Sequence, residues 1–130
     1  MEIQLQQTIS EEDIASLIVT ALEGGSNYWY CLNGITKYLG TDKQIKQADG
    51  QYWVLLEERL KEGNLSLPVY DLEDPDTQLG TLTNESIVKA LQTMSTDYPI
   101  HYKDFVTENY DASTGDVFFQ LAVMGDVTFC

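Results

Sequence analysis

The alternation of apolar and polar residues along this chain predicts a mixed fold that begins with a strand and a helix. Residues 2–9 alternate weakly, which indicates a half-buried first strand. Ser10 is a suitable N-cap, and the apolar positions after it recur every three or four residues, as on one face of a helix. These positions are Ile14, Leu17, Ile18, Ala21 and Leu22. Gly24 is expected to end this helix in a left-handed conformation.

Three further helices are predicted downstream from periodicity and from capping or breaking residues. They are Tyr52–Glu62, which ends at Gly63, a helix that begins at Thr83 or Asn84 and breaks at Tyr98-Pro99, and a helix capped by Asp111 that ends at Gly125. Residues 33–51 are predicted to form turns, because Asn-Gly, Leu-Gly and Asp-Gly pairs interrupt them. Residues 100–110 are interpreted as an irregular connection that contains several aromatic side chains.

Short strands are predicted between these helices. Residues 28–32 form an aromatic run, and residues 65–69 alternate, with Pro68 placing that strand at a sheet edge. An acidic turn at residues 73–76 and a returning strand at 79–82 predict a hairpin, and residues 127–129 are expected to close as a last strand. The sequence therefore predicts one α+β domain over residues 1–130, with about four helices packed on a small, mainly antiparallel sheet.

The net charge excludes some function classes and leaves others open. The 130 residues include 21 acidic and 7 basic side chains, for a formal charge of −14. Such a field repels phosphates, so direct nucleic-acid binding is not expected. Two interpretations of this charge remain open. It keeps the protein soluble, or the acidic side chains mimic a polyanion and bind in a basic groove of a host protein.

The compartment of the protein and the redox state of its thiols are predicted from sequence features that are absent. Cys31 and Cys130 are the two cysteines, and they form neither a metal-ligand spacing nor a disulfide framework. Residues 1–7 do not have the pattern of a secretory leader, and no apolar run approaches the ~20 residues of a transmembrane helix. We expect a cytoplasmic protein with reduced thiols and without a membrane partner. The oligomeric state is left open.

The stretch from Glu23 to Tyr30 concentrates the candidate binding chemistry. Two glycines and an asparagine allow the backbone to adopt conformations there that other residues avoid, and three aromatic residues follow. The predicted ligand-binding residues are Gly24, Gly25, Asn27, Tyr28, Trp29 and Trp53. Their rings would stack on a planar, nucleotide-like molecule, and a nearby lysine (Lys37, Lys43 or Lys46) would meet its phosphate. The alternative is a helix end followed by a buried aromatic strand.

No catalytic, metal or cofactor site is predicted. The single histidine, His101, lacks an accompanying nucleophile with a recognisable signature. The acidic turn that starts at Asp71 fails the EF-hand pattern, because Asp76 and Leu82 stand where glycine and glutamate are needed. An enzyme is therefore less expected than a binding protein.

Two segments resemble parts of small uncharacterised proteins encoded by phages and prophages. They are EGGSNYWY at residues 23–30 and DASTGDVFFQLAVMGDVTF at residues 111–129, the second with a D-A-x-T-x-D-x-x-x-Q-L-A pattern. The resemblance implies a mobile-element setting and supplies no catalytic residue. Three functions follow as expectations. The first is a non-enzymatic binding protein, with a role in counter-defence, that holds a nucleotide-like ligand. The alternatives are an acidic inhibitor of a host protein and a small hydrolase.

Overall fold

The computed structural model describes residues 9–130, and the first helix begins as the sequence predicts. The Asp13 amide donates to Ser10 Oγ at 3.1 Å, which caps α1, Glu11–Thr20. The predicted first strand lies almost entirely outside the described residues. The expected left-handed ending at Gly24 is wrong, because the chain continues through a π-helical turn, Ala21–Gly25. That turn closes when the Ser26 amide donates to the Ala21 carbonyl at 2.8 Å.

Within residues 9–130 the architecture is α+β, with six α-helices and a three-stranded antiparallel sheet, and this confirms the predicted class. After α1 come β1 (Tyr30–Cys31), a 3-10 turn (Thr36–Tyr38), α2 (Asp42–Ala48), α3 (Tyr52–Glu62), β2 (Ser66–Asp71), β3 (Gln78–Thr83), α4 (Asn84–Asp97), α5 (Pro99–Val106) and α6 (Ala112–Met124). The predicted number of four helices is wrong, because α2 and α5 were not expected.

Both unexpected helices are short and depend on their first residues. In α2 the Gln44 amide donates to Thr41 Oγ1 at 3.2 Å, and the Thr41 amide donates to Gln44 Oε1 at 2.9 Å. This reciprocal capping box stabilises a helix where the flanking glycines indicated only turns. Pro99 ends the helix before it and also starts α5, since proline is well suited to the first helical position.

The sheet has the order β1-β2-β3, and β2 and β3 form the predicted hairpin. The expected edge position of β2 is wrong, because β2 lies between the other two strands. However, β1 pairs only with Tyr70 and Asp71, so Pro68 lies beyond the part of β2 that β1 covers. Residues 127–129 were predicted as a strand and belong to no strand of the described sheet.

Helix α6 is the centre of the core and contacts α1, α4, α5 and β3. Its side chains from Phe118 to Val123 are all buried, so the helix is surrounded rather than packed on one face. Gly115 lets α1 approach closely, because a Cβ there would lie 3.1 Å from the Ala21 nitrogen. No helix in residues 9–130 combines the length and the apolarity needed to cross a membrane.

Candidate functional site

The turn after α1 is fixed to α6 by the carboxylate of Asp116. Ser26 Oγ and Trp29 Nε1 both donate to Asp116 Oδ1 at 2.8 Å, and Tyr28 Oη donates to Oδ2 at 2.6 Å. The Ser26 side chain is fully buried, so this bond satisfies a hydroxyl that water does not reach. Asp116 therefore orders the Gly-Gly-Ser-Asn-aromatic segment from a position about 90 residues away in the sequence.

Gly25 is what allows the turn to lie so close to α6. A Cβ built at this position would be 2.3 Å from the carbonyl oxygen of Ala112 and 3.2 Å from the amide nitrogen of Asp116. A Cβ at Gly24 would meet no atom within 4 Å. The two adjacent glycines thus differ in role, because only Gly25 is required by close backbone approach.

Gln120 extends this hydrogen-bonded cluster, one helical turn after Asp116. Its Nε2 donates to Asp116 Oδ1 at 3.2 Å and to the Phe129 carbonyl at 3.0 Å. Its Oε1 accepts from the amides of Thr128 and Phe129, each at 2.8 Å. Because Gln120 is fully buried, these bonds satisfy its polar atoms inside the core. We call Asp116 and Gln120, with the groups they bind, the Asp116–Gln120 cluster.

Trp29 lies in the core and is only 2% exposed. Phe129 stacks on it with ring centroids 5.4 Å apart and planes 9° from parallel, and Phe119 packs against it at 5.4 Å. The rings of Tyr30 and Trp29 form a T-shaped pair with their centroids 6.0 Å apart. The faces of Trp29 are therefore occupied by side chains of the same protein.

Four of the other predicted ligand-binding residues are divided between two surface depressions, and the fifth, Asn27, lines neither. Gly24, Gly25 and Tyr28 line an open depression of about 390 Å³ beside Asp116. Asn27 is exposed but is not part of that lining, and Trp53 lines a different depression. Neither lining contains a lysine or an arginine, so neither has a cation for a phosphate.

The hydroxyl of Tyr28 is held in its protonated form beside Asp116. Burial and the hydrogen bond to the carboxylate raise the pKa of Tyr28 to about 12. Tyr28 is nevertheless 43% exposed, so part of this residue faces solvent. A neutral phenol in this position is a structural donor.

The second depression lies between α1 and α3 and has a volume of about 640 Å³. It is lined by Glu12, Ala15, Ser16, Val19, Thr20, Glu23, Trp53, Val54, Glu57 and Tyr110. Trp53 is 43% exposed and Val54 is 41% exposed, so two large apolar side chains face solvent next to each other. At its edge, Tyr52 Oη donates to Glu23 Oε2 at 2.7 Å, and burial followed by this bond raises the pKa of Tyr52.

His101 takes part in a local contact. Its Nδ1 lies 3.0 Å from Thr114 Oγ1, but Thr114 is only 1% exposed, so its hydroxyl is inaccessible to a substrate. In residues 9–130 no group of three or more His, Cys, Asp or Glu side chains could hold a metal ion.

Sequence reasoning did not assign a role in binding or in ordering the site to Asp116, Gln120, Val54 or the glutamates of the second depression. The sequence does contain a signal for the first two, because Asp116 and Gln120 are four residues apart and the other residues of 115–124 are apolar. Polar residues at that spacing in a buried helix need internal partners.

Comparison with protein-family models, with curated proteins and with solved structures gives no match.

Proposed function

We propose that this protein is a non-enzymatic accessory protein that acts by binding, and that its acidic surface occupies a basic surface of a partner protein. In a phage or prophage setting, which the resemblance of residues 23–30 and 111–129 supports, the partner is a host protein whose basic groove normally holds nucleic acid. A counter-defence role follows if that host protein acts against phages.

The observation that carries this proposal is a net charge of −14 on a chain whose acidic side chains are mostly exposed. In residues 9–130 the ion pairs are Arg59 with Glu62 at 3.1 Å and Lys61 with Glu57 at 3.3 Å. None of the other carboxylates in this part of the chain is in an ion pair, and most of these side chains are exposed. Such a field attracts a basic partner and accelerates its association.

The test is capture of a partner from host extract, followed by a salt titration. We expect a basic protein to be retained at about 50 mM salt, released steeply towards about 500 mM, and displaced by duplex DNA. A retained protein that is not basic, or one that DNA leaves in place, would overturn the proposal. So would the absence of any partner at low salt.

A small nucleotide-like ligand is the second candidate, and the exposed ring of Trp53 favours it. A planar base would stack on this ring inside the α1–α3 depression, and its phosphate would have to extend away from the acidic lining into solvent. Native mass spectrometry of the purified protein, together with a thermal-shift screen of nucleotides, tests this alternative. A retained nucleotide, or stabilisation that persists at high salt, would favour it over the basic partner.

A further inference from the structure

The depression between α1 and α3 combines an apolar floor with an acidic rim. Val19, Trp53 and Val54 supply the apolar surface, and Trp53 and Val54 are each exposed by more than 40%. Adjacent exposed apolar side chains in a concave surface are typical of a binding site, and tryptophan is the residue most enriched where binding energy is concentrated.

Every charged side chain in the lining is acidic, and we call these side chains the rim. Glu12, Glu23 and Glu57 line the depression, and no lysine or arginine lines it. Lys61 pairs with Glu57 from the next turn of α3, at 3.3 Å, but Lys61 is more than half exposed and such pairs contribute little. The complementary ligand is therefore a cation that also carries apolar surface.

The negative charge of the lining distinguishes among the molecules that could bind in this depression. A second copy of this chain carries −14 and would bring further carboxylates to the rim. A phosphate-bearing ligand meets the same repulsion. Residues 1–8 contain neither lysine nor arginine, so they do not supply the missing charge. A basic segment of another protein satisfies both the rim and the floor.

The length of the depression along α1 fits a short helix. Its lining on the α1 side runs from Glu12 to Glu23, which spans about 16 Å at the helical rise per residue. Carboxylates stand at both ends of that span, and Glu57 faces it from α3. A groove between two helices with this length holds about three turns of an amphipathic helix.

We propose that this depression seats a basic amphipathic helix of the partner protein. Lysine or arginine side chains at its two ends pair with Glu12 and Glu23, and an apolar side chain between them packs against Trp53. This inference rests on the proposed function, because it identifies where the basic partner binds and the chemistry of the bound segment.

The probe is a synthetic helical peptide of leucine and lysine, about 18 residues long, titrated calorimetrically into the full chain. The matched control peptide has glutamate in place of lysine. We expect the basic peptide to bind, with increased helicity, and the acidic peptide not to bind. Trp53→Ala is expected to weaken binding at least tenfold, because it removes the apolar anchor.

The rim is tested by the triple variant Glu12→Gln, Glu23→Gln and Glu57→Gln, which keeps side-chain size and removes charge. Its peptide affinity is expected to fall at least tenfold and to lose most of its salt dependence. The matched controls are Val88→Ala and Glu85→Gln on α4, where Val88 is 56% exposed. Both should bind the peptide like the unchanged protein.

Each contrary result has a distinct meaning. If the basic peptide binds equally well to Trp53→Ala and to Val88→Ala, the depression is not the binding site. Capture of a salt-sensitive basic partner would still support the proposed function. If the peptide does not bind at all, the helix assignment is overturned. If spermine binds with the same dependence on Trp53 and the peptide does not, the occupant is a small organic cation instead.

Discussion

Replacing Asp116 with alanine is expected to destabilise the fold severely, because it removes the acceptor for several buried donors at once. Ser26 and Trp29 both donate to Asp116 Oδ1, and both are at most 2% exposed. Tyr28 and Gln120 also lose a bond, but Tyr28 reaches solvent and Gln120 keeps its bonds to residues 128–129.

The magnitude follows from the two buried donors. Each unsatisfied buried donor costs about 1–3 kcal/mol, so the free energy of unfolding should fall by about 2–6 kcal/mol. A domain of this size is stable by about 5–15 kcal/mol, and the loss is therefore a large share of the total. Asp116→Asn keeps an oxygen for Ser26 and Trp29 but not the charge, so its cost should be about 1–2 kcal/mol.

The assay is urea unfolding followed by tryptophan fluorescence. With a slope of roughly 2 kcal/mol per molar, Asp116→Ala should lower the midpoint by about 1–3 M with an unchanged slope. Glu58→Ala, at an exposed position of α3, is the control and should remain within about 0.5 kcal/mol of the unchanged protein. Equal midpoints for Asp116→Ala and Glu58→Ala would refute the structural role of the carboxylate.

Three further outcomes are expected. Gly25→Ala should cost at least about 2 kcal/mol in urea unfolding, whereas Gly24→Ala should be neutral or slightly stabilising. Equal costs would contradict the close approach to α6. Burial raises the pKa of Tyr30 from 10.0 to about 12, so the folded chain keeps a proton that the unfolded chain releases, and stability should fall between pH 10 and 12. Tyr30→Phe should flatten this part of the stability–pH curve, and an unchanged slope would contradict the assignment. Gln120→Met should accelerate hydrogen exchange of the Phe129 amide at least about tenfold, and unchanged protection would show that the glutamine does not hold this segment.

The helix ends were largely predictable because local chemistry determines them. Ser10 and Asp111 each accept the amide three residues later, as N-caps do. Gly63 and Gly125 adopt the left-handed conformation, with φ of 71° and 81°. Helix α5 was missed because Pro99 was interpreted only as a breaker, although the same residue starts the next helix.

The candidate site was less predictable because tertiary contacts decide which aromatic rings reach solvent. Trp29 and Trp53 have similar sequence surroundings, each beside another aromatic residue. Trp29 is enclosed by α6 and by Phe129, while Trp53 lies off the buried face of α3. Periodicity gave no information on the partner of Ser26, since Asp116 is 90 residues away.

The Asp116–Gln120 cluster also has a consequence for biosynthesis. Because synthesis proceeds from the N-terminal side, Trp29 leaves the ribosome long before the residues that enclose it. Until Phe129 has left the exit tunnel, a nascent chain presents that indole to chaperones and proteases. Stalled or truncated translation products would then be recognised and degraded, whereas a finished chain hides the same signal within its core.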